Sequence, residues 1–269
     1  MRGEKHKKPF KKEASPGGHF SPAKQRHNFG KMAIYLVATV IISSAVLILL
    51  NSSQPAKAAL VDHLSLTFPN QSFIDNTTEI LEQAGYTVDY YPGEEVTIDL
   101  YRDLPTHHYD VVILRVHSGR FLLSNGTLGD DVGLFTGEPY DPEKYDEEKE
   151  AGLVGIGRYP NDPSSAYVGI TPNFVALGME GKFKGSTVIL MGCDGFRSDL
   201  MAKAFVYKGA GAFVSWTAAV SASYTDAATE SLLKHLLIEK LPLKESVSEV
   251  GPDPIYGSQL KVGFRQEED

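Results

Sequence analysis

Cysteine is nearly absent from this chain of 269 residues, which contains only Cys193. One cysteine cannot form an intramolecular disulfide, so a disulfide-stapled fold is excluded. No Gly-x-Gly-x-x-Gly or P-loop motif follows a predicted strand, which argues against a nucleotide-phosphate site. The Gly-x-Ser-x-Gly turn that carries the serine nucleophile of α/β-hydrolases is also missing.

Charge is missing from residues 32–50, an apolar run long enough to cross a bilayer core of roughly 30 Å as a helix. Residues 1–31 carry +7, from nine Lys/Arg and two acidic residues, and the rest of the chain carries −15. The basic flank predicts a single-pass signal-anchor in the cell membrane, with a cytoplasmic N-terminus and an extracytoplasmic C-terminal domain. A cleaved signal peptide ending near Ala56-Lys57-Ala58 is the alternative, but its basic and apolar regions are usually shorter.

The charge pattern divides the chain into four parts. Residues 1–31 are predicted to be a basic cytoplasmic tail, 32–50 the transmembrane helix, 51–58 a linker and 59–269 one α/β domain. A short basic tail beside a membrane favours contact with anionic lipid over binding to nucleic acid. Asn-x-Ser/Thr glycosylation sequons occur only after the anchor, which agrees with an exported domain; they begin at Asn51, Asn70, Asn76 and Asn125.

Strand-like and helix-like segments alternate from residue 59 onward, which predicts a mainly parallel sheet with helices on both faces. Two continuous apolar runs, Val111–Val116 and Val188–Met191, are typical of buried parallel strands. We predict further strands at 59–67, 86–91, 209–216 and 259–264, and helices after Asn70, over 197–208, and after a cap at Thr225 or Asp226.

Residues 121–185 form an acidic, glycine-rich insertion between the two apolar runs. We expect short strands near 121–136 and 152–170 and a helix after Pro172, because so long a connection usually has structure of its own. The acidic residues at 130–150 lack the glycine spacing of a calcium-binding EF-hand loop, so a solvated charged loop is favoured over a calcium site. We therefore expect no cofactor.

A histidine and the lone cysteine follow the two apolar runs directly. His117 comes after the first run and Cys193 after the second. Parallel strands present their C-terminal ends at the sheet edge where ligands bind, so both side chains are expected on neighbouring strands at that edge. A thiol nucleophile and an imidazole base are the groups that cysteine catalysis needs. His107, His108 and His117 could instead suggest a zinc site. His108 and His117 lie at opposite ends of one strand, however, so they should not converge on one ion.

Small residues around this pair predict where a developing oxyanion is bound. The backbone N–H groups of Gly119 and Cys193 are the first candidates, and Gly195 lies close by in sequence. Asp194 adjoins the thiol and should raise its pKa, whereas the N-terminus of the following helix should lower it. A buried inert thiol, the usual state of a free cysteine, is the alternative.

The order of these motifs resembles the caspase-like cysteine peptidases of clan CD. The shared pattern is a strand followed by His and a nearby Gly, then a strand followed by Cys and a nearby Gly, then a helix and a Gly-Ala-rich strand, here within Leu200–Trp216. It covers roughly residues 105–240 and is closest in pattern to CHAT and gingipain-type domains. Two departures are Ser118, which separates His117 from Gly119, and Gly-Cys-Asp-Gly in place of the caspase cysteine motif.

The resemblance implies a hydrolase, a cysteine endopeptidase that acts on protein or peptide substrates through His117 and Cys193. A non-proteolytic caspase-fold module for binding or sensing is the alternative. We expect substrate contacts from four residues, namely Arg115, Asp194, Trp216 and Asp226; for Arg115, buried pairing with an acidic residue is an equal alternative. The acidic exported part favours cleavage after basic residues, with Glu94, Glu95 or Asp226 as the carboxylate that binds them. The oligomeric state is not predicted.

Overall fold

The computed structural model describes residues 55–122, 128–159 and 162–264, together with helical Tyr35, Val37 and Thr39. The chain divides into two units, Met1–Gln54 and Pro55–Asp269. Apart from those three positions, the predicted tail at 1–31 and the predicted membrane helix at 32–50 lie outside the described residues. Within the described ranges, no helix combines the length and apolarity needed to span a bilayer.

Strands and helices alternate through the second unit. Its strands are β1 Ala56–Asp62, β2 Tyr86–Pro92, β3 Val111–Arg115, β4 Ser118–Leu122, β5 Leu128–Pro139, β6 Val154–Tyr159, β7 Asp162–Ile170, β8 Thr187–Leu190, β9 Ala212–Trp216 and β10 Leu260–Phe264. Its α-helices are α1 Gln71–Gln83, α2 Ile98–Asp103, α3 Asp146–Glu150, α4 Leu200–Tyr207, α5 Ala222–Leu233 and α6 Leu243–Ser248. Short 3₁₀ turns occupy His63–Leu66, Gly93–Glu95 and Leu104–His107, and π-helical turns occupy Phe174–Gly178 and Lys234–Ile238.

Six strands form one mixed, mostly parallel sheet in the order β10-β9-β8-β3-β1-β2. The pairs β2/β1, β1/β3, β3/β8 and β8/β9 are parallel, and only β10 runs antiparallel to its neighbour. The predicted α/β class with a mainly parallel sheet is therefore confirmed.

Helices cover both faces of this sheet, because its central strands are apolar on both sides. One face carries Leu60 and Ile113, which belong to a buried cluster with residues of α1, α5 and α6. The other face carries Val61 and Leu114, which cluster with residues of α2, α4 and the strands β5, β6 and β7. Each fully buried aliphatic side chain contributes about 1.5–3 kcal/mol, so these two layers supply most of the folding free energy.

The predicted insertion contains a second, antiparallel sheet. Strands β4, β5, β7 and β6 pair in that order, and β4 also pairs with β6. Glycines on these strands lie against one aromatic ring: a Cβ added to Gly133 or Gly169 would come 2.3 Å from Phe121. The glycines of the insertion therefore make room for Phe121 inside this small sheet, and the strands expected near 121–136 and 152–170 are confirmed.

Several predicted boundaries move. β1 begins at Ala56, inside the segment predicted as a linker, and ends before the 3₁₀ turn at His63, so the strand predicted at 59–67 was shifted. Helix α5 begins after Ser221, and the caps predicted at Thr225 or Asp226 are wrong because both side chains are buried within the helix. Asn70 does cap α1, since its side chain accepts from the Phe73 N–H at 3.2 Å.

Candidate active site

His117 and Cys193 lie at the same edge of the large sheet, beyond the ends of two neighbouring strands. The last paired residues of β3 and β8 are Leu114 and Leu190, and each reactive residue follows three positions later. Both side chains line one cavity of about 320 Å³. Both residues therefore lie at the edge where the parallel strands end, facing one cavity.

Glycine allows the two strand ends to touch. A Cβ on Gly192 would come 2.3 Å from the Ser118 Oγ and 2.5 Å from the Val116 carbonyl, which no side chain could tolerate. Ser118 also donates from its hydroxyl to the Cys193 carbonyl at 2.5 Å. The serine that interrupts the expected His-Gly pair thus fixes the cysteine turn against the histidine segment.

His117 is held in its neutral form. Burial, followed by the positive charge of Arg115, lowers its pKa to about 4. Its Nε2 lies 3.0 Å from the Thr67 Oγ1, and its ring centroid lies 4.8 Å from that of Tyr159. When Nε2 carries the proton and donates to Thr67, Nδ1 keeps the lone pair that a general base needs.

Cys193 is held as a protonated thiol. Burial raises its pKa, and the negative charges of Asp194 and Asp253 raise it further. The thiol donates to the Val220 carbonyl at 3.7 Å, and the Val220 N–H donates to the sulfur at 3.5 Å. Because thiol and imidazole are both neutral, any attack by the sulfur on an electrophile would require transfer of the thiol proton.

The turn after Cys193 is tight and partly strained. Asp194 has φ of +61°, in the left-handed region, and its N–H donates to the Ala218 carbonyl at 2.9 Å. No backbone carbonyl of the described ranges accepts from the Cys193 N–H. Of these two adjacent amides, that of Asp194 is engaged within the protein and that of Cys193 is the one without a backbone acceptor.

The two predicted oxyanion glycines occupy different surroundings. Gly195 packs under the site, because a Cβ there would meet the Ser215 Oγ at 2.1 Å, so its role is close packing against β9. Gly119 pairs with Gly133 in the small sheet, and a Cβ on it would meet no atom within 4 Å. The space beside Gly119 is open, whereas Gly195 has no space for a ligand.

Arg115 is completely buried and does not reach the cavity. Its Nε and Nη2 donate to the two carboxylate oxygens of Asp226 at 2.8 Å, and its Nη1 donates to Asp62 at 2.7 Å. Nη2 also donates to the Phe68 carbonyl at 2.9 Å. Arg115 is therefore paired with buried acidic residues, which was the alternative to a substrate contact. The substrate contacts expected from Arg115 and Asp226 are wrong, because the two side chains form a buried ion pair with each other.

Trp216 is also buried, so its expected contact with substrate is wrong. Its indole N–H donates to the Thr225 hydroxyl at 2.9 Å, and that hydroxyl donates to the Met191 carbonyl at 3.0 Å. Asp194, the remaining expected contact, is half-exposed, lies 3.9 Å from Arg197 and is not among the residues that line the cavity.

Sequence reasoning missed a second histidine at the same edge. His63 follows β1, whose Asp62 is in register with Arg115, so the rule for parallel strand ends could have found it. Its ring lies edge-on to His117 at 5.6 Å, its Nε2 lies 3.0 Å from the Tyr159 hydroxyl, and its buried Nδ1 has no partner within the described ranges. Burial lowers the pKa of His63 to about 3.

No cluster of three or more metal-ligating side chains occurs within the described ranges. The acidic stretch contains α3, where Asp146 pairs with Lys149 at 2.7 Å.

Searches against protein-family models and curated proteins found no match to this chain.

Proposed function

We propose that this chain is a cysteine endopeptidase anchored in the cell membrane, with its caspase-like domain outside the cytoplasm. The observation that supports it best is the placement of His117 and Cys193 in one cavity, at the ends of adjacent parallel strands. The resemblance to caspase-like peptidases of clan CD assigns the same two residues. The uncharged segment 32–50 behind a basic tail supports the anchor.

Hydrolysis proceeds through a covalent thioester. The Cys193 sulfur bonds to the carbonyl carbon of the scissile peptide, its proton passes to His117, and the carbonyl π electrons move to oxygen. The C–N bond then breaks as His117 returns the proton to the leaving amine. A water molecule attacks the thioester, gives its proton to His117, and releases the carboxylic acid together with the regenerated thiol.

The tetrahedral oxyanion needs fixed donors. The Cys193 N–H meets this requirement, since no backbone carbonyl of the described ranges accepts from it. Gly119, the other donor expected from the sequence, pairs with Gly133 in the small sheet and does not line the cavity, so the proposal rests on the Cys193 N–H. A preorganised donor of this kind is worth about 10²–10³-fold in kcat.

A non-proteolytic binding or sensing module is the second candidate. The raised pKa of Cys193 favours it, because burial keeps the sulfur as a thiol, which is a poor nucleophile. Such a module would keep the cavity but perform no covalent step.

The deciding experiment measures hydrolysis of a peptide library by the full-length chain, its Cys193→Ala variant and its His117→Ala variant. We expect kcat/KM to fall at least about 1,000-fold without the nucleophile and about 10²–10⁴-fold without the base. His107→Ala is the matched control, since this exposed histidine stacks on Tyr109 at the other end of β3. Hydrolysis that survives Cys193→Ala would rule out the proposed enzyme.

A further inference from the structure

We propose that the cavity beside Cys193 selects an uncharged, apolar side chain, so that the chain cuts after residues such as Leu, Phe or Met. This inference rests on the proposed peptidase function and concerns the substrate class of the same site. Because Cys193 itself lines the cavity, the side chain bound there belongs to the residue whose carbonyl the sulfur attacks.

The walls of the cavity are predominantly apolar. Apart from His117, Cys193 and Gly192, the lining residues are Leu64, Phe68, Val116, Met191, Val220, Ser221, Ala222, Thr225 and Tyr256. None of these lining residues carries an acidic or basic side chain. A volume of about 320 Å³ is at the lower end for ligand pockets, which suits one large side chain.

The serine and threonine hydroxyls of the wall are already engaged. The Thr225 hydroxyl accepts from Trp216 and donates to the Met191 carbonyl. The Ser221 hydroxyl donates to an Asp253 carboxylate oxygen at 2.8 Å. A charged substrate side chain would lose its hydration and find no counter-charge in this wall, which costs several kcal/mol.

Nearby carboxylates are also occupied by partners within the protein. Asp226 is bound by Arg115, so it cannot act as the acidic pocket floor that was considered for basic substrates. Asp253 accepts from the backbone N–H groups of Ser221, Ile255 and Tyr256. Because these groups occupy its oxygens and Asp253 does not line the cavity, it offers a lysine or arginine side chain no direct contact.

Exposed apolar side chains surround the entrance. Phe68 and Tyr256 line the cavity and are 52% and 57% exposed, and Ile255 beside Tyr256 is 69% exposed. Exposed apolar patches of this kind mark binding surfaces on soluble domains. Glu94 and Glu95, the other carboxylates considered for basic substrates, are exposed on a separate 3₁₀ turn and do not line the cavity.

The first test uses fluorogenic peptides that differ only in the residue before the cut bond, namely Leu, Phe, Met, Arg, Lys, Asp or Glu. We expect the full-length chain to give a kcat/KM at least about tenfold higher for the apolar set, a difference that the loss of one well-filled contact supplies. Equal or better cutting after Arg, Lys, Asp or Glu would overturn the inference while leaving the peptidase function intact.

The second test does not need turnover. Peptide amides ending in Leu or Arg compete with iodoacetamide for the full-length chain, and mass spectrometry follows alkylation of Cys193. We expect the Leu peptide to slow alkylation several-fold more than the Arg peptide. Such protection without hydrolysis of any reporter would support the cavity and overturn the peptidase function, and equal or absent protection would overturn the cavity.

A third test places a negative charge at the entrance of the cavity. Tyr256→Asp should raise the Arg-to-Leu ratio of kcat/KM at least fivefold, because it adds the carboxylate that the wall lacks. Tyr207→Asp is the matched control, since Tyr207 is 69% exposed and lines a different cavity. An unchanged ratio in Tyr256→Asp, or the same change in Tyr207→Asp, would overturn the assignment.

Discussion

At the scale of single residues, the pKa values of His117 and Cys193 determine the pH range in which the pair can react. The His117 pKa is lowered to about 4, so the ring is a free base above that pH. Burial raises the Cys193 pKa above its ordinary value, so the thiol keeps its proton through neutral pH. We expect kcat/KM, measured with an apolar reporter peptide, to rise through about pH 4 and to stay level through neutral pH.

A thiolate–imidazolium pair would give a different profile, with an alkaline limb where the imidazolium loses its proton. An acid limb near the ordinary histidine value of about 6.5 would contradict the buried state of His117. Acid unfolding needs a control, because the lowered pKa values of His63 and His117 mean that the unfolded chain binds protons first. These two histidines therefore cost no stability above about pH 6.5, and the free energy of unfolding falls as the pH drops toward 4. Circular dichroism at each pH would detect this loss.

At the scale of elements, one buried ion network joins the ends of β1, β3 and α5 under the site. Arg115 binds Asp62 from β1 and Asp226 from α5, and Asn70, the cap of α1, donates to Asp226 at 2.9 Å. We predict that Arg115→Met lowers the free energy of unfolding by about 3–5 kcal/mol, because it leaves two buried carboxylates without a cation. Urea unfolding with an unchanged m-value measures this.

A triple variant without the two carboxylate charges tests whether unpaired charge causes this loss of stability. Adding Asp62→Asn and Asp226→Asn to Arg115→Met removes the unpaired charges and should recover part of the lost stability. If the triple variant is less stable than Arg115→Met alone, packing around Arg115 and not the ion network accounts for the loss.

Sequence patterns predicted the central elements because those strands are apolar over most of their length, with Arg115 at the end of β3 as the exception. Runs such as Val111–Val116 and Val188–Met191 indicate a buried parallel strand without knowledge of the partner strand, and the rule for strand ends then places His117 and Cys193 together. Polar residues with distant partners were misassigned. Asp226 was predicted to cap a helix or bind substrate, since its partner Arg115 lies 111 positions away.

The surroundings of the reactive pair could not be predicted for the same reason. Thr67 contacts His117 across 50 positions, and Val220 contacts Cys193 across 27. Neither threonine nor valine belongs to a catalytic motif, so no local pattern identifies them. The packing of Gly195 against Ser215 likewise depends on how the cysteine turn lies over β9, which the sequence does not encode locally.

At the scale of the whole molecule, charge is strongly segregated along the chain. The first 31 residues carry +7 and the residues from 32 onward carry −15, with no charged side chain in 32–50. Of the sequon asparagines in the described residues, Asn76 is exposed on α1, whereas Asn70 is a half-buried cap bonded to Asp226. An exported domain would therefore offer Asn76 to a glycan more readily than Asn70.

This segregation predicts one membrane crossing at 32–50, with the domain that contains Cys193 outside the cell. Proteinase K applied to intact cells should remove a tag fused after residue 269 and leave a tag before residue 1 protected, because positively charged flanks stay in the cytoplasm. A cytoplasmic marker protein that remains undigested controls for lysis. Removing the basic charge, by changing the nine Lys/Arg of residues 1–31 to Gln, should reduce the fraction of N-terminal tag that is protected. A C-terminal tag that is digested only after lysis would contradict this topology and would place the peptidase in the cytoplasm.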